Sequence, residues 1–92
     1  MLEVVLSNQF RRDLKRAVRR GRDIALLEKI VNNLAERRPL PESNRDHSLT
    51  GNWSGYRECH IQPDWLLIYK VSGDELLLLL MRTGTHADLF DN

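Results

Sequence analysis

The chain has 92 residues, a length that supports one hydrophobic core and predicts a single domain spanning residues 1–92. Hydrophobic residues make up 41% and charged residues 29%, and the formal net charge is +1, which excludes the apolar-poor, highly charged composition of a disordered chain. No stretch approaches the roughly 20 apolar residues of a membrane-spanning helix, and the start lacks the features of a secretory signal, so we expect a cytoplasmic protein with no membrane partner.

Positive charge is concentrated in the first half of the chain. Residues 1–45 carry eleven Lys and Arg against six Asp and Glu, whereas residues 46–92 carry three against seven. Such a density attracts phosphate backbones or an acidic partner, although an ordinary solvent-exposed helix face has the same composition. Most of the excess lies in a short segment that contains Arg11, Arg12, Lys15, Arg16, Arg19, Arg20 and Arg22.

The first half of the chain predicts a strand followed by a helical hairpin. Residues 2–6 form a short apolar, β-branched run, and Ser7-Asn8 then offers a helix N-cap. Apolar residues recur at helical spacing until Gly21 supplies a stop. Asp23 can cap a second helix, whose apolar stripe ends before Pro39.

Residues 39–55 combine Pro, Gly, Ser and Asn in a proportion typical of irregular backbone. A loop of this length is uncommon in a compact domain unless it is functional or disordered, and this one carries His47 and Trp53. We therefore expect the loop to belong to a functional site.

Three strand-like runs follow the loop and predict an antiparallel meander. They span residues 56–62, 65–71 and 75–83. Pro63-Asp64 suits the centre of a type I turn, which would bring His60 and Asp64 close together. The run from Leu76 to Met81 has no polar alternation, which predicts a strand covered on both faces. We expect helices to cover one face, and another part of this chain or a protein partner to cover the other.

The order of these elements, βααβββ, indicates an α+β fold in which an antiparallel sheet packs against a two-helix hairpin. Cys59 is the only cysteine, so no internal disulfide can form. We expect Cys59 to be a small core residue.

All three histidines, His47, His60 and His86, lie in the second half, at or near loop or strand ends. A single histidine is more often structural. The three histidines together with Asp64 and Arg82, however, provide the groups that metal-free cleavage of RNA needs. That reaction requires a base for the 2′-hydroxyl, an acid for the leaving 5′-oxygen and a cation for the phosphorane. Imidazole can be acid or base near neutral pH, and guanidinium can hold phosphate oxygens. Asp64 could orient His60, raise its basicity or act as the base.

Some further side chains could contact an RNA substrate. Thr83 lies between Arg82 and His86 and could donate to phosphate, although a plain strand end explains this spacing equally well. Aromatic residues could stack on unpaired bases, and the candidates are Trp53, Tyr56, Trp65 and Phe90. Core packing is the more common role for Tyr56 and Trp65.

Several blocks, in this order, resemble the YafQ-like branch of the RelE superfamily, bacterial toxins that cleave messenger RNA on the ribosome. The blocks are Asp46-His47, Gly51 to Arg57, His60 to Trp65, Leu67 to Lys70, Arg82 to His86 and Leu89-Phe90. The match is close over residues 39–90, whereas residues 1–38 match only as a β-α-α pattern with a basic helix.

By position, the resemblance implies a RelE-like fold and a metal-independent, cofactor-free acid–base site. The implied acid–base residues are His47, His60, Asp64 and His86, with His86 preferred as the acid and Asp64 or His60 as the base. Arg82 would stabilise charge at the scissile phosphate. Expected products are a 2′,3′-cyclic phosphate and a 5′-hydroxyl. The resemblance also implies that Phe90 positions the RNA, and the residues themselves add Trp65 and Thr83 as expected substrate contacts.

The resemblance also implies a set of partners. The basic segment listed above would contact 16S ribosomal RNA, so that the ribosome presents the messenger RNA. A cognate antitoxin, often carrying a ribbon-helix-helix DNA-binding part, would hold the toxin inactive. Operator DNA would be contacted only through the toxin–antitoxin complex.

Two alternatives remain open from the residues alone. The three histidines and Asp64 could coordinate zinc in a metal-dependent hydrolase, although their spacing matches no compact zinc motif. The chain could also be a non-catalytic module that binds RNA or an antitoxin, and the intact set of titratable residues argues against that.

Overall fold

The computed structural model describes residues 1–90, which form a five-stranded sheet with two long helices. The elements in chain order are β1 (Glu3–Leu6), α1 (Asn8–Arg19), α2 (Ile24–Ala35), β2 (His47–Ser48), β3 (Arg57–Gln62), β4 (Trp65–Ser72), β5 (Leu77–Gly84) and α3 (His86–Phe90). Single 3-10 turns at Glu42–Asn44 and Gly51–Trp53 lie on either side of β2.

Local capping sets the bounds of the helical hairpin. The Ser7 hydroxyl accepts a hydrogen bond from the N–H of Phe10 at 2.9 Å, and Asp23 accepts one from the N–H of Ala25 at 3.1 Å. Gly21 lies just beyond α1 with φ 77°, a left-handed conformation that glycine adopts without strain. Both predicted helices are confirmed. No helix within residues 1–90 is long and apolar enough to cross a membrane.

The strand order is β1-β5-β4-β3-β2. The pairs from β5 to β2 are antiparallel, with a two-residue connection at Pro63–Asp64 between β3 and β4. The α+β class and the meander are therefore confirmed. One departure is β1, which pairs parallel to β5, with Val4 opposite Leu78. The helical hairpin and all the other strands separate β1 from β5 in the chain. A connection of this length allows either a parallel or an antiparallel pairing of the two strands.

The main core lies between the sheet and α1 and α2. Trp65, Leu67 and Tyr69 of β4 face the helices, whereas Leu66 and Ile68 pack on the opposite face with Leu89. This alternation follows from the two-residue period of a strand. Core membership of Cys59, which is fully buried, is also confirmed, and its burial raises the pKa of the thiol to about 12.

Two expectations about exposed segments are wrong. The leucine run is not covered on both faces along its length, since Leu78 and Leu80 are buried under the helices but Leu77 and Leu79 are only half-buried. Leu76 is 55% exposed and has φ 58°, a turn conformation. The strand β5 therefore begins at Leu77, two residues after the predicted start at residue 75. The segment 39–55 is not wholly irregular either, because β2 pairs with β3.

Candidate active site

The sheet face opposite the long helices carries a cluster of histidines. Cys59 of β3 enters the helix-side core, so its neighbours Glu58 and His60 point to the other face. The register of β2 places His47 directly opposite Glu58. Pairing of β2 with β3 therefore brings the loop histidine to the same patch as His60.

The three imidazoles form a row above a buried carboxylate. Ring centroids are 6.5 Å apart for His47 and His60, and 5.7 Å apart for His60 and His86. Glu58, which is 5% exposed, places Oε1 3.5 Å from Nε2 of His47 and 3.7 Å from Nε2 of His60. A carboxylate there stabilises an imidazole that has taken up a proton. Glu58 was not predicted from the sequence, although its two-residue spacing from His60 in a predicted strand places both side chains on one face.

Asp64 pairs with His86. Its Oδ1 accepts a hydrogen bond from the backbone N–H of His86 at 3.0 Å and lies 2.7 Å from His86 Nδ1. These two hydrogen bonds hold the pKa of Asp64 below its usual value. An ionised carboxylate only accepts, so Nδ1 carries a proton, and Nε2 has no hydrogen-bond partner within residues 1–90 and can take up and release a second proton. The expectation that Asp64 orients His60 is wrong, because Nδ1 of His60 instead faces the carbonyl of Pro63 at 3.2 Å.

A capping box begins α3 at His86. Thr85 Oγ1 accepts from the N–H of Asp88 at 3.0 Å, and Asp88 Oδ2 accepts from the N–H of Thr85 at 2.9 Å. Arg20 of α1 donates to the same Oδ2 at 2.6 Å, and Arg16 lies 3.7 Å from it. The Arg20 hydrogen bond is the main reason that the pKa of Asp88 lies well below its usual value. The helix α3 was not predicted from the sequence, although the T-x-x-D pattern of a capping box is present at residues 85–88.

Arg82 is held by a buried acid on α1. Its Nε donates to Asp13 Oδ2 at 2.7 Å and its Nη2 donates to Asp13 Oδ1 at 3.2 Å. The side chain of Arg82 is 21% exposed and that of Asp13 only 1%. Asp13 was not singled out in the sequence, where it reads as one more charge on a polar helix.

The three expected substrate contacts have different outcomes. Phe90, in α3, is 41% exposed and its ring is accessible. Trp65 and Thr83 are fully buried, so direct contact of either with RNA is wrong. The ring of Trp65 packs in the helix-side core under the guanidinium of Arg22, 5.4 Å from the ring centroid. The hydroxyl of Thr83 donates to the carbonyl of Leu66 at 2.7 Å.

The other two aromatic candidates, Trp53 and Tyr56, are half-buried and pack edge to face with centroids 5.4 Å apart. They belong to the small core around Leu66 and Ile68. Beside His60 lies a cavity of about 420 Å³, large enough to admit part of a nucleotide. Its lining residues are Ser43, Asn44, Arg45, His60, Ile61, Gln62 and Pro63.

The basic segment divides into two groups. Arg16 and Arg20 bind acidic side chains, and Arg22 reaches Gln62 Oε1 at 3.4 Å and the carbonyl of Asp64 at 3.5 Å. The other four side chains of the basic segment are exposed and form no salt bridge within residues 1–90; these are Arg11, Arg12, Lys15 and Arg19. The first group therefore forms hydrogen bonds or ion pairs that support the site, while the second presents charge to solvent.

A metal ion would fit part of the histidine cluster. Glu58, His60 and His86 each offer a ligand atom, and these atoms lie within 4.8 Å of one another. One carboxylate and two imidazoles suit zinc or copper. The zinc alternative based on three histidines and Asp64 is wrong in its ligand set, because Glu58 belongs to the group while His47 and Asp64 do not.

Known proteins resemble this chain over nearly its full length. Residues 2–91 match the family model described as YafQ, bacterial toxin of type II toxin–antitoxin system. The mRNA interferase toxin YafQ of Escherichia coli K12 is 43% identical over 92 residues, covering 96% of this chain and 95% of that protein. A metal-bound toxin from Helicobacter pylori superposes with a TM-score of 0.93 at 44% identity, covering 98% and 100%. A chain of the E. coli DinJ–YafQ complex gives 0.89 at 42% identity, covering 98% and 99%.

Proposed function

The chain belongs to the YafQ family of bacterial toxins of type II toxin–antitoxin systems, and we propose that it is a ribosome-dependent endoribonuclease that cleaves messenger RNA in the ribosomal A site. The observation that carries the proposal is the Asp64–His86 pair standing beside His60 and Glu58 on one face of the sheet. Such a site holds two imidazoles, which can serve as the base and the acid that RNA cleavage requires, and each has its own carboxylate partner.

His60 is the proposed base. It removes the proton from the 2′-hydroxyl, and the buried carboxylate of Glu58 stabilises the imidazolium that results. Asp64 is the weaker candidate for this role, because its lowered pKa makes it a poor proton acceptor. Its place in the mechanism is to orient His86. His47, on the other side of Glu58, adds a third imidazole for binding the RNA strand.

His86 is the proposed acid. His86 acts as an imidazolium, with Nδ1–H donating to Asp64 and Nε2 carrying the second proton. The 2′-oxygen bonds to phosphorus as the bond from phosphorus to the 5′-oxygen breaks, and Nε2 of His86 gives that proton to the leaving 5′-oxygen. Arg82 stabilises the added negative charge on the phosphorane oxygens, and Phe90 stacks on a base. The products are a 2′,3′-cyclic phosphate and a 5′-hydroxyl.

Affinity for RNA is proposed to come mainly from α1. Arg82 is the only Lys or Arg among the five catalytic candidates, so the site itself attracts phosphate weakly. Four exposed cations are proposed to bind 16S ribosomal RNA: Arg11, Arg12, Lys15 and Arg19. Cleavage of free RNA should therefore be weak.

A protein partner is proposed from the same relatives. Because E. coli YafQ occurs in a complex with DinJ, we infer that a cognate antitoxin binds and inactivates this chain in the cytoplasm. We expect the antitoxin to carry a ribbon-helix-helix part, through which alone the complex contacts operator DNA.

A second candidate function is metal binding at Glu58, His60 and His86. It is favoured by their ligand geometry and by the H. pylori relative, whose structure is described as metal-bound. A metal there would supply a Lewis acid or a metal-bound water. Since it would occupy nitrogen lone pairs of the proposed base and acid, we propose that RNA cleavage is metal-independent.

The experiment is induction of the chain in a bacterium with mapping of messenger RNA 5′ ends. Codon-phased cuts are expected, and His86→Ala should abolish them while Asp23→Asn, at an exposed helix cap, leaves them unchanged. Undiminished cutting by His86→Ala would reject the mechanism. Normal growth on induction, with ribosome binding retained, would favour the non-catalytic module.

A further inference from the structure

The buried carboxylate of Asp13 lies on the most basic helix of the molecule. Its side chain is 1% exposed, although α1 is otherwise polar on its outer face. A buried carboxylate is costly unless charged or polar donors surround it. The donors around Asp13 therefore indicate what the residue does.

Five donors converge on the two oxygens of Asp13. Oδ2 accepts from Arg82 Nε at 2.7 Å and from the N–H of Thr83 at 3.2 Å. Oδ1 accepts from Arg82 Nη2 at 3.2 Å, Arg16 Nη2 at 3.1 Å and Gln9 Nε2 at 3.1 Å. The contact with the backbone of Thr83 fixes the same carboxylate to the end of β5. Asp13 thus sets the guanidinium of Arg82 relative to the strand that leads to His86.

Asp13 binds one edge of the Arg82 guanidinium and leaves the other edge free to bind a phosphate. The two-point contact uses Nε and Nη2, while no acceptor within residues 1–90 hydrogen-bonds Nη1. A guanidinium held in this way cannot turn about its last torsions without breaking charge-assisted hydrogen bonds. The free edge then has one direction in which to donate to a phosphate oxygen.

We propose that Asp13 is a positioning residue that orients Arg82 for the phosphorane of the cleavage reaction. The inference rests on the proposed function, since it concerns the same phosphate. Asp13 touches neither RNA nor the reacting atoms; it acts only through Arg82. Its loss should therefore lower the rate of the chemical step and leave ribosome binding unchanged.

The test is single-turnover cleavage of messenger RNA on programmed ribosomes by Asp13→Asn. The rate at saturating toxin should fall about 10-fold or more, because small misplacements of a catalytic group are costly. The apparent affinity for the ribosome should stay within about twofold of wild type. In an Arg82→Ala background, Asp13→Asn should have no further effect. Asp23→Asn, which removes an exposed charge from the next helix cap, is the matched control.

Two results would overturn the proposal. One is a wild-type rate for Asp13→Asn, and the other is an equal loss of rate with and without Arg82. If Asp13→Asn does not fold, Asp13→Glu keeps the charge but displaces it by one methylene, and the same two criteria apply.

A second measurement separates this proposal from the proposed function. Hydrogen exchange of the Arg82 Nε–H, followed by NMR, should be slow in wild type and fast in Asp13→Asn. If wild type cuts no ribosome-bound messenger RNA, the proposed function fails, and slow exchange that depends on Asp13 still supports the orientation of Arg82. Exchange that is equally fast in both proteins would overturn it.

Discussion

One oxygen of Asp64 holds both the backbone and the ring of His86. Oδ1 lies 3.0 Å from the backbone nitrogen and 2.7 Å from Nδ1. The contact joins the turn between β3 and β4 to the start of α3. It therefore fixes the position of the proposed acid, and keeps a proton on its Nδ1, through a residue that is 22 positions earlier in the chain.

Asp64→Asn should lower the single-turnover cleavage rate by roughly 10²-fold, because a neutral amide orients the His86 ring and stabilises its protonated form less well than an ionised carboxylate does. Ribosome affinity should not change. Asp74→Asn, in the exposed turn between β4 and β5, is the control. A rate within twofold of wild type would show that His86 needs no carboxylate partner.

Stability at low pH should depend on Asp88. Its hydrogen bond with Arg20 lowers the pKa of the folded-state carboxyl below the ordinary value of 3.8, so the unfolded chain takes up a proton first as the pH falls. The contribution is fully present above about pH 4 and is lost at lower pH. Urea titrations between pH 4 and pH 2 should show a shallower fall in the free energy of unfolding for Asp88→Asn. An unchanged slope would mean that the ion pair contributes nothing.

Trp65 and Phe90 should separate folding from substrate binding. Trp65→Ala should lower the free energy of unfolding by roughly 3–5 kcal/mol, because the ring is fully buried. Phe90→Ala, at an exposed ring, should change it by less than about 0.5 kcal/mol and instead slow cleavage. Denaturant unfolding and single-turnover cleavage measure the two effects. Equal destabilisation by both substitutions would contradict the assignment.

The exposed cations of α1 should govern the salt dependence of ribosome binding. Replacing Arg11, Arg12, Lys15 and Arg19 with Gln should reduce the slope of log affinity against log salt by roughly one for each lost phosphate contact. The cleavage rate at saturation should not change. Lys29→Gln on α2 serves as a single-charge control. A parallel salt dependence for wild type and variant would place the ribosome contact elsewhere.

Zinc should inhibit cleavage. A metal ion on Glu58, His60 and His86 needs deprotonated imidazoles and would compete with their acid–base roles. Glu58→Gln should weaken zinc binding, measured by calorimetry, by roughly 10-fold or more. Loss of activity with a chelator selective for transition metals, restored by zinc, would instead favour the metal-dependent hydrolase.

Local patterns predicted most of the fold, because its caps and periodicities are short-range. Ser7, Gly21 and Asp23 mark helix ends by side-chain or backbone chemistry that neighbours in sequence complete. The parallel pairing of β1 with β5 could not be predicted in this way. It depends on hydrogen bonds between residues more than 70 positions apart.

The candidate site was predicted in its residue types but not in its pairings. His47, His60 and His86 do lie together. Asp64 binds His86 and not His60, because the direction of a turn side chain depends on what packs against it. The burial of Trp65 and Asp13 depends on how α1 lies across the sheet, which sequence spacing alone does not specify.

The most direct test of the proposed mechanism is cleavage of messenger RNA on programmed ribosomes by purified wild-type and His86→Ala proteins, with analysis of the product ends. The acid–base mechanism predicts 2′,3′-cyclic phosphate and 5′-hydroxyl ends, and a rate lower by at least roughly 10²-fold for His86→Ala at equal ribosome affinity. Ends carrying a 3′-hydroxyl and a 5′-phosphate, or undiminished cutting by His86→Ala, would contradict it.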